Sequence, residues 1–328
     1  MNSALHGGTD SGPAIVHDFS SNANPLGPPP RLWRAVLDAD RRRYPDPQYL
    51  ALCDTLAAAH GVEPDRILPA AGGAEAIRRL SLAARLRGIG EVWVPRPGFG
   101  DYATAAGALG MEVRGYRADE LPRPERPALI WACEPNNPCG GSRADLAALA
   151  GPAGSIVAVD LAYAPLCLQG EAPALPAHCW RLVCPNKALG LCGVRAAYLI
   201  APAADEALRE TIQSLAASWL LSAEGVAMLS HWQDEDTQAW LADSRAQLRQ
   251  WKAQQRSLLA ELGWQQGDKQ DSCTPFWLAR PGKPLPPLRE RHGIKLRDAA
   301  SFGLPSWVRI ATLPPASQQA LIKALRTR

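Results

Sequence analysis

Several polar side chains fall where an α/β protein does chemistry. The apolar run Ser155-Ile156-Val157-Ala158-Val159 ends on Asp160, with Tyr163 three residues further on. The strand-like stretch before Pro185 leads to Lys187, and Ala128-Leu129-Ile130-Trp131-Ala132 opens into a loop holding Asn136-Asn137-Pro138-Cys139-Gly140. In an open α/β sheet, ligands sit beyond the carboxyl ends of the strands. A carboxylate, a phenol, an amine and a carboxamide would meet there, the groups of proton transfer and covalent catalysis. The small-residue turn from Ala70 to Ala74 leads into a helical pattern through Leu86. Arg195, in Gly193-Val194-Arg195, supplies a planar bidentate fork. Taken singly, each has a plainer explanation: an Asp after a strand caps a turn, a lone Lys is solvated, an Arg makes a surface ion pair.

The elements that would hold these residues alternate. Asn- and Pro-rich residues 17–30 cannot be helix and read as an extended arm. Helical spacing follows over 32–40 and 49–60, where Gly61 ends the run. Strand signals at 67–68, 91–94, 113–116, 128–132, 155–159, 181–184 and 196–200 alternate with helices through 86 and over 102–109. This predicts an α/β fold, a mostly parallel sheet covered on both faces. From 204 to 262 the chain reads as helical, with Leu241, Leu248, Trp251, Leu258 and Leu262 on one face. Strands at 276–278, 293–296 and 307–311 and a helix from 317 complete a smaller α+β unit. The expected division is an arm at 1–30, a large domain at 31–201 and a small domain at 202–328, with the arm packed on the last.

Composition excludes other classes. At 328 residues the chain has room for two domains, and 47% hydrophobic with 20% charged residues is ordinary for a globular protein. The net charge, 35 − 32 = +3, with Arg41-Arg42-Arg43 its longest basic block, argues against nucleic-acid or membrane-surface binding. No apolar run reaches the ~18 residues of a membrane span, and residues 1–10 lack an apolar signal core, so a cytoplasmic location is expected. Eight cysteines show neither a Cys-x-x-Cys pair nor zinc-ligand spacing, and read as reduced thiols with no metal site.

In this order, Gly72-Gly73-Ala74-Glu75, Pro97-Gly98-Phe99, Asn136-Asn137-Pro138-Cys139-Gly140, Asp160-Leu161-Ala162-Tyr163, Lys187 and Arg195 resemble the aminotransferase-like family of pyridoxal-phosphate enzymes, over nearly the whole chain. The resemblance implies a three-layer aminotransferase-like fold and pyridoxal 5'-phosphate as cofactor. It implies that Lys187 bonds the cofactor aldehyde and later shuttles protons. Asp160 would pair with the pyridine nitrogen, Asn137 and Tyr163 would hydrogen-bond the ring oxygen, and Phe99 would stack on the ring. Gly73, Ala74 and Arg195 would hold the phosphate. Tyr44, in Arg43-Tyr44-Pro45, matches a tyrosine sent across a dimer interface to the neighbour's cofactor phosphate, which implies a homodimer with shared sites; its plainer reading is an exposed turn tyrosine. Arg309 would clamp the substrate carboxylate, although an Arg alternating with apolar residues on a strand ordinarily faces water.

The arm Asp18-Phe19-Ser20-Ser21-Asn22-Ala23-Asn24-Pro25-Leu26-Gly27-Pro28 looks like that of threonine-phosphate decarboxylases. It lacks the Glu of the related histidinol-phosphate aminotransferases, and Asn24 falls among its substrate-side residues. Both groups use an arginine shortly before the carboxylate clamp for substrate phosphate. Arg297 matches it, against a plainer reading as a solvated strand-end charge. Decarboxylation of a phosphorylated amino acid is the first expectation and a histidinol-phosphate-type transamination the second. A third is a weakly active cofactor-binding protein, because Cys139, Leu161, Cys184, Asn186 and Ala197 replace residues usual in the family.

Overall fold

The computed structural model describes residues 6–267 and 272–326. Seven strands form its largest sheet, in spatial order Ile67–Ala70, Ala197–Ile200, Trp180–Val183, Ile156–Asp160, Leu129–Cys133, Glu91–Arg96 and Glu112–Arg117. All run parallel except Ala197–Ile200, which is antiparallel to both neighbours. Residues on the inner strands are buried on both sides, which is why they read as unbroken apolar runs. The pleat still sorts them. Leu129, Trp131, Ile156 and Ala158 pack with helices Gly73–Leu86 and Asp101–Ala108, whereas Ile130, Ala132, Val157 and Val159 pack on the other face with Leu146 and Leu149. Helices Pro30–Leu37, Leu50–His60 and Ala223–His231 cover that second face over Ile67, Tyr198 and Ile200.

A second, antiparallel sheet has the order Arg297–Asp298, Val308–Ala311, Phe276–Arg280, Gln265–Gln266. The strand expected at 293–296 is divided. Ile294–Lys295 pairs in parallel with His17–Asp18 of the arm, and the chain joins the four-stranded sheet only at Arg297. The competing partner is the arm itself, which also bonds the sheet through Ala311 N to Phe19 O and reaches the large sheet through Asn24 N to Lys187 O. The first five residues of that arm lie outside the described residues. Helix Leu288–His292 was not expected from the sequence.

The 27-residue helix Glu235–Glu261 crosses between the two sheets. Leu241 and Leu248 pack with Leu166 and Leu168, while Leu259 joins Phe19, Trp277 and Ile310. Its expected single apolar face therefore serves two cores in succession. Among the described residues, no helix is long and apolar enough to cross a membrane.

Candidate active site

The carboxyl ends of the parallel strands open into a cavity of about 610 Å³, within the range that holds a cofactor and a small substrate. Gly73, Ala74, Phe99, Asn137, Asp160, Tyr163, Lys187, Arg195, Arg297 and Arg309 all line it. Ten of the twelve sequence-selected residues thus meet in one place, drawn from both sheets.

The phosphate-binding corner depends on the reversed strand. Because Ala197–Ile200 runs antiparallel, its beginning lies at the same edge as the end of Ile67–Ala70, and Ala70 pairs with Ala197. This brings Arg195 against the turn that starts helix Gly73–Leu86. Gly72 adopts φ +93°, and a Cβ there would stand 2.5 Å from Arg195 Nη2. Only glycine allows both that backbone and that approach. A guanidinium thus lies beside the open N–H groups of a 14-residue helix, an arrangement suited to a phosphate dianion. Cys184 lines the same corner and donates through Sγ to Asn186 Oδ1 at 3.3 Å.

Asp160 is fully enclosed, with Oδ2 accepting from Tyr102 Oη at 2.6 Å and Oδ1 from Ala162 N at 2.9 Å. Burial raises its pKa; the two hydrogen bonds and the Lys187 charge oppose this without cancelling it. A carboxylate so placed gains from any cationic partner. Tyr102 itself stacks on Trp131 at 4.8 Å and meets Phe99 edge-on, which ties the carboxylate's orientation to the aromatic wall. Lys187 Nζ sits 5.3 Å from the centre of the Tyr163 ring. Burial lowers its pKa, but the charges of Tyr163, Cys184 and Asp160 raise it, and the net shift is upward.

The donor pattern around Tyr163 is directional. Asn22 Nδ2 donates to Tyr163 Oη at 3.2 Å, so the tyrosine's own proton can point into the cavity. Asn137 Oδ1 accepts from Arg309 Nη1 at 2.7 Å, which aims the amide Nδ2 elsewhere. Arg309 Nη2 donates to Ser20 O at 2.6 Å, leaving its Nε buried with no partner; Asn22 Oδ1 is likewise buried and unpartnered. Both atoms are closed off from solvent behind the cavity wall.

Arg297 and Arg309 are register partners on adjacent antiparallel strands, so their side chains share a face. Both contact the Phe302 ring, at 4.8 and 6.0 Å. Burial, with Arg297 as a like-charged neighbour, lowers the Arg309 pKa to about 10. Two buried like charges side by side are costly unless an anion lies between them.

Two selected residues are not at the cavity. Asn24 is a correction: its Nδ2 donates to Ala188 O at 3.1 Å and its Oδ1 accepts from Leu26 N, so it fastens the arm, and Asn22 lines the site instead. Tyr44 is 77% exposed and stacks on Trp219 at 4.4 Å, away from its own chain's cavity. The sequence reading also passed over Tyr102, Phe302 and the segment from His6 to Thr9, which closes one side of the cavity. His6 stands 3.5 Å from Asp101 and Gly8 N donates to Ser20 Oγ. The paired glycines after His6 were the one available signal.

A family model described as aminotransferase class I and II matches residues 14–325. The histidinol-phosphate aminotransferase of Ruegeria pomeroyi is 29% identical over 96% of this chain and 91% of its own. The threonine-phosphate decarboxylase of Salmonella typhimurium is 29% identical over 73% of this chain and 71% of its own. In structure, the chain resembles the histidinol-phosphate aminotransferase of Sinorhizobium meliloti, solved with pyridoxal-5'-phosphate, with a TM-score of 0.77, 21% identity and coverage of 95% and 90%. The carboxylate, the amine and the phosphate corner fit that cofactor, and the chain belongs to the class I and II aminotransferases, a family of pyridoxal-phosphate-dependent enzymes.

Proposed function

We propose that this enzyme decarboxylates O-phospho-L-threonine or a closely similar phosphorylated α-amino acid. The observation that carries this reading is the Arg297–Arg309 pair, two guanidinium groups on one face of one sheet at the cavity wall. A substrate bearing a carboxylate and a phosphate in the same molecule satisfies both at once. Arg309 takes the carboxylate and Arg297 the phosphate. Histidinol phosphate offers only one such group, although glutamate, the other substrate of that transamination, offers two; the arm without a Glu and a threonine-phosphate decarboxylase among the relatives support the choice. The histidinol-phosphate reading stands second, favoured by a relative of that name that aligns over 96% of the chain.

When bound, pyridoxal phosphate supplies an electron sink for the pair released from the substrate Cα. The chain's own residues do the rest. Arg195 and the N–H groups of Gly73 and Ala74 would hold its phosphate. Asp160, fixed by Tyr102, would partner the ring nitrogen, and Phe99 would pack on the ring. Tyr163 Oη and Asn137 Nδ2 would donate to the ring oxygen. Lys187 Nζ would be the covalent anchor and the proton carrier for the substrate Cα. Arg309, by holding the substrate carboxylate, would set which substrate bond is oriented for cleavage.

Residues 31–201 and 202–328 then act as the two walls of the site, with 1–30 as the strap joining them, in keeping with where the two sheets fall. The site is completed by a second copy whose Tyr44 reaches the cofactor phosphate. An exposed aromatic pair, Tyr44 on Trp219, is the kind of surface that a homodimer covers.

The test is a pair of assays on the cofactor-loaded protein. Phosphothreonine should release CO₂ with no requirement for a keto acid, and Lys187→Ala should lose both that activity and the visible band of covalently held cofactor. Glutamate formation from histidinol phosphate and 2-oxoglutarate, without CO₂ release from phosphothreonine, would replace this reading with the second.

A further inference from the structure

Cys167 and Cys273 are 106 residues apart in sequence (273 − 167) and adjacent in space. Leu168 N donates to Cys273 O at 2.6 Å, which makes Cys167 and Cys273 neighbours across that backbone contact. Cys167 is partly exposed on the segment that follows Asp160 and Tyr163, with its thiol also directed to Gln169 O at 3.2 Å. Cys273 is buried at the start of the segment leading into strand Phe276–Arg280, with Sγ directed to Gly140 O at 3.3 Å. Its backbone N–H donates to the same carbonyl at 2.8 Å. Gly140, at φ +77°, is packed so tightly on Ser272 and Thr274 that a Cβ would collide with both hydroxyls. The thiol pair therefore sits where the loop carrying Asn137 meets the four-stranded sheet.

Its surroundings divide the labour between the two sulfurs. Contact with the Cys273 thiol, with Arg245 and Lys252 adding positive charge, pulls the Cys167 pKa below that of an ordinary thiol. Cys273 is pushed the opposite way by the same contact and by burial. An acidic, reachable thiol beside a buried second thiol is the pattern of an oxidation-sensitive cysteine with its resolving partner.

We infer that Cys167 and Cys273 form a reversible disulfide that fastens the large sheet to the small one when the protein meets a hydroperoxide. The Cys167 thiolate attacks the peroxide oxygen; the O–O bond breaks, hydroxide leaves and Cys167 becomes a sulfenic acid. Cys273 sulfur then attacks the Cys167 sulfur. The S–S bond forms, the S–O bond breaks, and the departing hydroxide leaves as water with the Cys273 proton. Two electrons pass from the sulfurs to the peroxide, and an external thiol returns them.

The test treats the holoenzyme with hydrogen peroxide, blocks the remaining thiols and maps peptides without reduction. The expected result is one linked peptide pair, Cys167 with Cys273, lighter by two hydrogens and restored by dithiothreitol. Closing a loop of this length should raise the Tm by several degrees in the oxidised wild type. Cys167→Ser should give neither link nor shift. In Cys273→Ser, Cys167 should stop at a sulfenic acid that dimedone labels. Cys167 staying reduced while other cysteines oxidise, a link to a different cysteine, or an unchanged Tm with the link present would each overturn the inference.

Discussion

At the residue scale, the phosphate corner turns on a hydrogen atom. Gly72→Ala asks a left-handed backbone and a 2.5 Å contact with Arg195 to accept a methyl group. The left-handed penalty alone is about 1–2 kcal/mol, and displacement of the guanidinium adds to it. Affinity for pyridoxal phosphate should fall about tenfold or more, measured by cofactor titration, while pyridoxal without its phosphate binds variant and wild type alike. Arg297→Ala removes one of the two paired charges. It should lower kcat/KM for the phosphorylated substrate by about 10–100-fold, the range of a charge-assisted hydrogen bond, with cofactor affinity unchanged. A loss of cofactor instead would assign Arg297 to the wrong phosphate. At this scale the sequence was informative wherever chemistry demands one residue type at a strand end, as with Asp160 and Lys187. It was silent on Tyr102, whose hydroxyl reaches Asp160 from a helix 58 residues upstream; nothing in a helix-start tyrosine announces its partner.

At the element scale, the loop after strand Leu129–Cys133 is held by a buried carboxylate. Glu134 accepts from Ser142 Oγ and, at 3.1 Å, from Arg143 N, and burial raises its pKa to about 7. Between the ordinary carboxylate value and about 7, the folded state holds a proton that the unfolded chain has released. Stability therefore falls as pH rises through that window, by about 3–4 kcal/mol in all. Glu134→Gln removes the titration; its Oε1 can accept from Arg143 N while its Nε2 donates to Ser142 Oγ, the reverse of the bond in the wild type. Its Tm should match the wild type near about pH 4.5 and exceed it above about pH 7. Melts that run parallel across the range would show that Glu134 is not the titrating group. The alternation of strands and helices was legible because the inner strands are long apolar runs. The division of 293–296 was not, because two edges, the arm and the four-stranded sheet, compete for one short stretch, and register between distant segments leaves no local mark. Asn24 failed for a related reason: in an arm of fixed composition, which asparagine faces the cavity depends on backbone direction, and that is set by the bonds to Lys187 O and Ala188 O.

At the scale of the whole molecule, Tyr44, Trp219 and Leu50 remain exposed, at 77%, 46% and 59%. Trp219 holds φ at +50°, a conformation that costs a bulky side chain about 1–2 kcal/mol and persists only where its surroundings demand it. Covering this patch with a second copy would repay that strain. Trp219→Glu should convert a dimer to monomers in sedimentation velocity and release cofactor from both sites. A wild-type protein that sediments as a monomer would remove Tyr44 from the cofactor site.

The facing arginines carry a consequence for any solution the enzyme enters. In the absence of substrate, Arg297 and Arg309 stand side by side on one face of the sheet, each 5% exposed, so any small oxyanion that relieves their repulsion is a competitor. Orthophosphate or sulfate in a buffer would then raise the apparent KM in proportion to its concentration and protect the protein against heat. An assay run in phosphate would mistake a strong catalyst for a feeble one.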